Sequence, residues 1–158
     1  MAKKILPWLW FNGNAEEAVA YYKSVFPDVE IGDTTRYPAG APMEGEVLTI
    51  EFRIFDQDFG AINAGPEFSF NESISFSVDC ADQKEIDYYW NTLTADGGEE
   101  SMCGWLKDKY GLSWQIVPAR FDEMLKKGTP AQASAITMAL FQMQKIDLAA
   151  IEDAFASA

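Results

Sequence analysis

Ala64-Gly65-Pro66-Glu67-Phe68-Ser69-Phe70-Asn71-Glu72 followed by Ser73-Ile74-Ser75-Phe76-Ser77-Val78-Asp79 is where the chain starts over. The first nine residues carry a Gly-Pro pair and read as a connecting segment; the next seven alternate serine with apolar side chains, the period-two signature of a half-buried strand. Working outward, the same order of elements lies on both sides. Before the segment come an apolar run at Ile5 to Phe11, a turn at Asn12-Gly13-Asn14, and a helix with the apolar stripe Ala15, Ala18, Val19, Tyr22 and Val25, stopped by Pro27. Strands follow at Val29 to Thr35, Val47 to Ile54 and Phe59 to Asn63, the first two separated by a Pro- and Gly-rich loop from Arg36 to Gly45.

After the segment, Asp82 and Glu85 open a second helix as a capping box, with Ile86, Tyr89, Trp90 and Leu93 as its stripe and Gly97-Gly98 as its end. Short strands are expected at Glu99 to Cys103, Trp105 to Lys107 and Leu112 to Val117, the last two divided by the turn Asp108-Lys109-Tyr110-Gly111. Strand, helix and three strands thus occur twice. Beyond Pro118 the pattern turns helical, with Phe121, Met124 and Leu125 on one helix, Ile136, Ala139, Leu140 and Met143 on a second, and Leu148, Ile151 and Phe155 on a third capped by Asp147. The expected architecture is α+β: module one over about 1–68, module two over about 69–118 and a helical tail over 119–158, all in one domain.

Composition excludes several function classes. The 158 residues carry 12 Lys plus Arg against 25 Asp plus Glu, a net charge of −13, so phosphate backbones and anionic headgroups are repelled and nucleic acid is excluded as a partner. No apolar run reaches the roughly 18 residues a membrane span needs, and Lys3 and Lys4 precede a run too short and Pro-broken to be a signal peptide. Cys80 and Cys103 are too few for a disulfide framework, which suits a cytoplasmic protein. The chain contains no histidine, so any proton-transferring group must be Asp, Glu, Cys, Tyr or Lys.

Glu51, on the polar side of the Val47 to Ile54 strand, is the first candidate base; the alternative is an ordinary same-face partner of Arg53. Cys103, beside Gly104-Trp105, is either a nucleophile or a small packed hydrophobe. Phe68, Phe70, Trp105 and Trp114 read as the walls of an apolar pocket or as core, and Asn63 and Gln115 as amides that orient a ligand or satisfy strand ends.

Several phrases carry a resemblance: Trp8-Leu9-Trp10-Phe11 before Asn14-Ala15-Glu16-Glu17-Ala18, Leu48-Thr49-Ile50-Glu51-Phe52, Asn63-Ala64-Gly65-Pro66-Glu67-Phe68, and Cys103-Gly104-Trp105-Leu106-Lys107-Asp108-Lys109-Tyr110-Gly111-Leu112-Ser113-Trp114-Gln115. They resemble the PhnB-like, or 3-demethylubiquinone-9 3-methyltransferase-like, branch of the vicinal oxygen chelate superfamily, which includes the glyoxalase and bleomycin resistance proteins, and the likeness extends over nearly the whole chain, tail included. It implies two βαβββ modules in a half-open barrel, usually in a homodimer, with a small-molecule cleft inside the curve. In metal-using relatives, ligands come from the first strand and a late strand of each module. Here those places fall near Pro7 and Ser73 and at Glu51 and Gln115, a set that cannot hold a catalytic divalent ion. No metal site and no cofactor is expected. A glycine-rich turn for a methyl-donor nucleotide is also missing, since Asn12-Gly13-Asn14 has one glycine and leads into Glu16-Glu17.

Three functions follow. The first is a metal-independent small-molecule binder, or an enzyme of unknown reaction, acting as a homodimer. The second is a metal-dependent isomerase, transferase or dioxygenase using Glu51 and Gln115. The third is a non-catalytic interaction module whose tail residues Met138, Leu140, Phe141 and Met143 meet a partner subunit.

Overall fold

A computed structural model describes residues 5–158; the Lys3 and Lys4 reading lies outside them. The described chain divides into two compact units, bounded at Phe70 and Asn71.

The first unit holds β1 (Trp8–Phe11), α1 (Ala15–Val25), β2 (Val29–Arg36), β3 (Val47–Ile54) and β4 (Gln57–Asn63). Its sheet has the order β1-β4-β3-β2, with β1 parallel to β4 and the other pairs antiparallel. β1 is shorter than the apolar run suggests. Pro7 has no N–H to give a ladder, and only its carbonyl pairs, accepting from Gly60 N–H at 2.8 Å. The stripe Ala15, Ala18, Val19, Tyr22 and Val25 is buried, and Tyr22 stacks on Phe52 of β3, with ring centroids 6.2 Å apart. Ile50, Phe52 and Ile54 therefore form the helix-covered face of β3, and Thr49, Glu51 and Arg53 the other.

The second unit repeats the plan with β5 (Phe76–Cys80), α2 (Gln83–Thr94), β6 (Glu99–Glu100), β7 (Trp105–Lys107) and β8 (Ser113–Pro118), in the order β5-β8-β7-β6. β5 begins three residues later than the alternation from Ser73 suggests. Asn71 Oδ1 accepts from both the N–H and the hydroxyl of Ser73, at 2.9 and 2.5 Å, and this local turn competes with the ladder. β6 is also cut short, because Trp105 N–H turns back to Met102 O at 3.1 Å and Cys103 sits at φ 61°. Asp82 caps α2 by accepting from Glu85 N–H at 2.9 Å.

The helices α3 (Phe121–Lys127), α4 (Pro130–Leu140) and α5 (Leu148–Ala156) belong to the second unit. Ile136, Ile146 and Ile151 are fully buried among them, with Val117, Phe121, Leu140, Met143 and Phe155 packed around. The segment before α5 is tied down at several points. Cys103 and Gly104 N–H donate to Met143 O and Gln144 O at 2.7 and 2.8 Å, Gln83 bonds Ile146 O and Leu148 N–H, and Lys145 pairs with Asp87 at 2.8 Å. Leu140 and Met143 thus serve the tail's own core, while Met138 and Phe141 stay exposed. No described helix is long and apolar enough to cross a membrane.

Candidate functional site

In each unit one sheet face is taken by its helix, and the residues of the opposite face run in cross-strand rows. In the first unit one row is Trp8, Gly60 and Glu51. Gly60 is there for Trp8: a Cβ at residue 60 would stand 2.7 Å from the indole carbons, so the ring lies flat over the strand. Trp8 is nonetheless 49% exposed, an unusual state for so large an apolar ring. On the far side of Glu51, β2 bulges. Ile31 pairs with Phe52 and Thr34 with Ile50, so Gly32 and Asp33 together face one residue. The missing side chain of Gly32 leaves a shallow hollow of about 190 Å³ lined by Glu30, Gly32, Glu51, Arg53 and Asp58 among others. Arg53 donates to Asp58 Oδ1 at 2.8 Å, and this pairing raises its pKa.

The remaining first-unit candidates lie around this face or inside the unit. Phe68 is exposed and meets Trp10 edge-on at 4.9 Å, while Trp10 Nε1 donates to Gly65 O at 2.9 Å. Phe70 packs edge-on against Phe11 at 5.3 Å. Asn63 is buried, its Nδ2 donating to Val47 O at 3.0 Å and its Oδ1 accepting from Ala15 N–H at 2.9 Å. Its amide joins β4, β3 and the start of α1.

In the second unit the matching row is Ser77, Gln115 and Trp105. Gln115 Nε2 donates to Ser75 Oγ at 2.8 Å. A second row is Ser113, Lys107 and Glu99. Trp114 points the other way: it is buried, and its Nε1 donates to Asp108 Oδ2 at 3.0 Å. Asp108 Oδ1 accepts from Tyr110 and Leu112 N–H at 2.9 and 3.1 Å, so this carboxylate, 2% exposed, organises the turn between β7 and β8. Cys103 is half-buried at the turn that receives the tail. Cys80 is buried, and loss of solvation, aided by Glu85, Asp79 and Asp82, pushes its thiol up to about 12.

The two sheet orders align β3 with β7 and β4 with β8, so Glu51, in the row Trp8, Gly60 and Glu51, and Gln115, in the row Ser77, Gln115 and Trp105, lie on strands that are not counterparts in the repeat. The first-strand members of these rows are Trp8 and Ser77, one residue after Pro7 and four after Ser73. None of these six side chains is an imidazole or thiolate, and Glu51 is the one carboxylate. Among the described residues no three His, Cys, Asp or Glu side chains converge as a metal-binding group. The donor set does not fit a catalytic divalent ion. Trp8, Gly60, Lys107, Asp108 and Ser113 were not singled out from the sequence as site residues. A glycine inside an otherwise regular strand was the signal for the close approach at Gly60.

Doubled βαβββ units of this kind define the vicinal oxygen chelate class, with the glyoxalase-like α+β fold. The chain belongs to the family described as 3-demethylubiquinone-9 3-methyltransferase, which it matches over residues 3–117, and within it is PhnB-like. The PhnB protein from Bacillus cereus is 35% identical, with 73% of this chain and 99% of that one covered and a TM-score of 0.65. A protein from Pseudomonas aeruginosa is 20% identical over 74% and 98%, with a TM-score of 0.60. The fosfomycin resistance protein FosX from Listeria monocytogenes, solved with Mn(II) and sulfate, shares the fold at 13% identity over 73% and 91%, with a TM-score of 0.52. No curated protein matches the chain. The family match stops at residue 117, so α3 to α5 lie outside it, a correction to the expectation that the likeness includes the tail.

Proposed function

We propose that the protein binds a small organic molecule without a metal ion, on the sheet faces that its helices leave open. The observation that carries this reading is the row Trp8, Gly60 and Glu51. It combines an exposed indole held flat by a glycine, which offers a stacking surface, with a carboxylate at the edge of a hollow, which accepts hydrogen bonds. Phe68 and Trp10 extend this apolar surface of the first unit; the second unit, by itself, presents the Trp105 ring and the Gln115 amide on its own open face. Glu51 is the candidate base if the bound molecule reacts. The methyl transfer in the family's name finds no glycine-rich nucleotide turn in this chain.

The protein acts as a cytoplasmic homodimer in this reading. Exposed Met138 and Phe141, three residues apart on and just after α4, support self-association, and two unpaired cysteines suit a reducing compartment.

A thermal-shift screen of metabolites and divalent metals tests the reading, because a ligand of the native state raises its melting temperature. The expected hit stabilises the wild type and loses most of its effect in Trp8→Ala and Glu51→Gln. A stoichiometric transition metal that survives dialysis would overturn it in favour of metal-dependent chemistry.

A further inference from the structure

The second unit has an unexplained polar atom. Ser113 is 1% exposed, and its hydroxyl has no hydrogen-bond partner, a state that is costly for a buried donor. It lines a recess of about 110 Å³ together with Trp105, Lys107, Ser101, Glu72 and Glu99. That volume is far below a drug-sized pocket, at roughly 300–1,000 Å³, but admits a carboxyl-sized group.

Lys107 stands beside Ser113 in register on the neighbouring strand. Its ammonium bonds Glu72 at 2.5 Å and lies 3.9 Å from Glu99. Glu72 comes from no strand or helix; it sits just before β5 and is mostly exposed, so it can leave at little structural cost. Glu100, by contrast, is fixed by accepting from Trp90 Nε1 at 2.9 Å.

We infer that this recess is a carboxylate-binding subsite on the open sheet face of the second unit, in which the Glu72 carboxylate holds the place of a ligand's carboxylate until the ligand displaces it. The inference rests on the binding function proposed above. Exchange is the electrostatically permitted route: adding a further anion beside Glu72 and Glu99 would set three carboxylates around one ammonium, whereas replacing Glu72 leaves the local charge unchanged. The incoming carboxylate accepts from Lys107 Nζ and from the Ser113 hydroxyl, giving that buried donor its partner, and the Trp105 ring contacts the adjoining carbon atoms. The ion pair lowers the pKa of Glu72 and raises that of Lys107.

The test is an amide chemical-shift titration of the full chain with acetate, propionate and pyruvate, and with inorganic phosphate as control. Saturable shifts at residues 105–107 and 113 are expected with the carboxylates. Glu72→Gln is expected to tighten binding severalfold, Glu99→Gln to tighten it much less, Ser113→Ala to weaken it and Lys107→Met to abolish it; a dispersed spectrum certifies that each variant is folded. Three results overturn the inference: no saturable shift in either wild type or Glu72→Gln, equal effects of Glu72→Gln and Glu99→Gln, or phosphate binding in place of carboxylate. If these fail while an uncharged compound from the screen still depends on Trp8, the subsite alone is wrong and the binding function stands.

Discussion

Trp8 lies flat on Gly60, with its nearest indole carbons 2.7 Å from where a β-carbon of residue 60 would stand. The contact joins β1 to β4 and turns a strand position with no side chain into the floor of an exposed aromatic platform beside Glu51.

Gly60→Ala is therefore expected to expel the Trp8 ring rather than unfold the sheet. Trp8 is half-exposed and swings outward at low cost, so the stability loss stays at about 1–3 kcal/mol, the usual range for overpacking. Tryptophan fluorescence checks it. The emission should shift in Gly60→Ala and not in Gly60→Ala combined with Trp8→Phe.

Asn63 acts as a cap supplied from a distant strand. Asn14, at the N-cap of α1, makes no side-chain cap bond, and Ala15 N–H is satisfied by Asn63 Oδ1 instead. Asn63→Ala should cost about 2 kcal/mol in denaturant unfolding, because it leaves both Ala15 N–H and Val47 O without these bonds. Asn63→Asp keeps the acceptor and should lie between the two.

Asp108 holds three donors from a buried position. Asp108→Ala is expected to destabilise by about 2–4 kcal/mol, with Trp114 becoming accessible to quenchers. An unchanged unfolding midpoint would show that the turn does not depend on this carboxylate.

Cys80 gives the pH prediction. Its thiol ordinarily titrates near 9.0 and is raised to about 12 in the fold. A raised pKa contributes stability that is whole below the unfolded value and is lost as pH rises from about 9 toward 12, because the unfolded chain then ionises first. Wild type should lose stability over that window, and Cys80→Ala should lose less. At neutral pH, native Cys80 should resist thiol reagents that modify it after unfolding.

Ile146 anchors the tail, so Ile146→Ala should cost about 2–5 kcal/mol in melting measurements. The exposed pair Met138 and Phe141 tests self-association separately: M138S with F141S should leave the melting temperature nearly unchanged and yield monomer by light scattering if it forms the dimer contact.

The sequence alone determined the doubled order of elements, the two helix stripes, the Asp82 and Asp147 caps and the helical tail. Each depends on side-chain periodicity or on partners within four residues, which a linear reading contains. Tertiary structure decided the rest. It assigned Asn63 to a helix 48 residues away, turned Trp114 toward Asp108 and away from the open face, placed Glu51 and Gln115 on strands that do not correspond, and left Ser113 beside Lys107 with an unpaired hydroxyl. Register and facing are set by hydrogen bonds between residues far apart in sequence, and a shift of one residue would exchange the inner and outer faces of a strand.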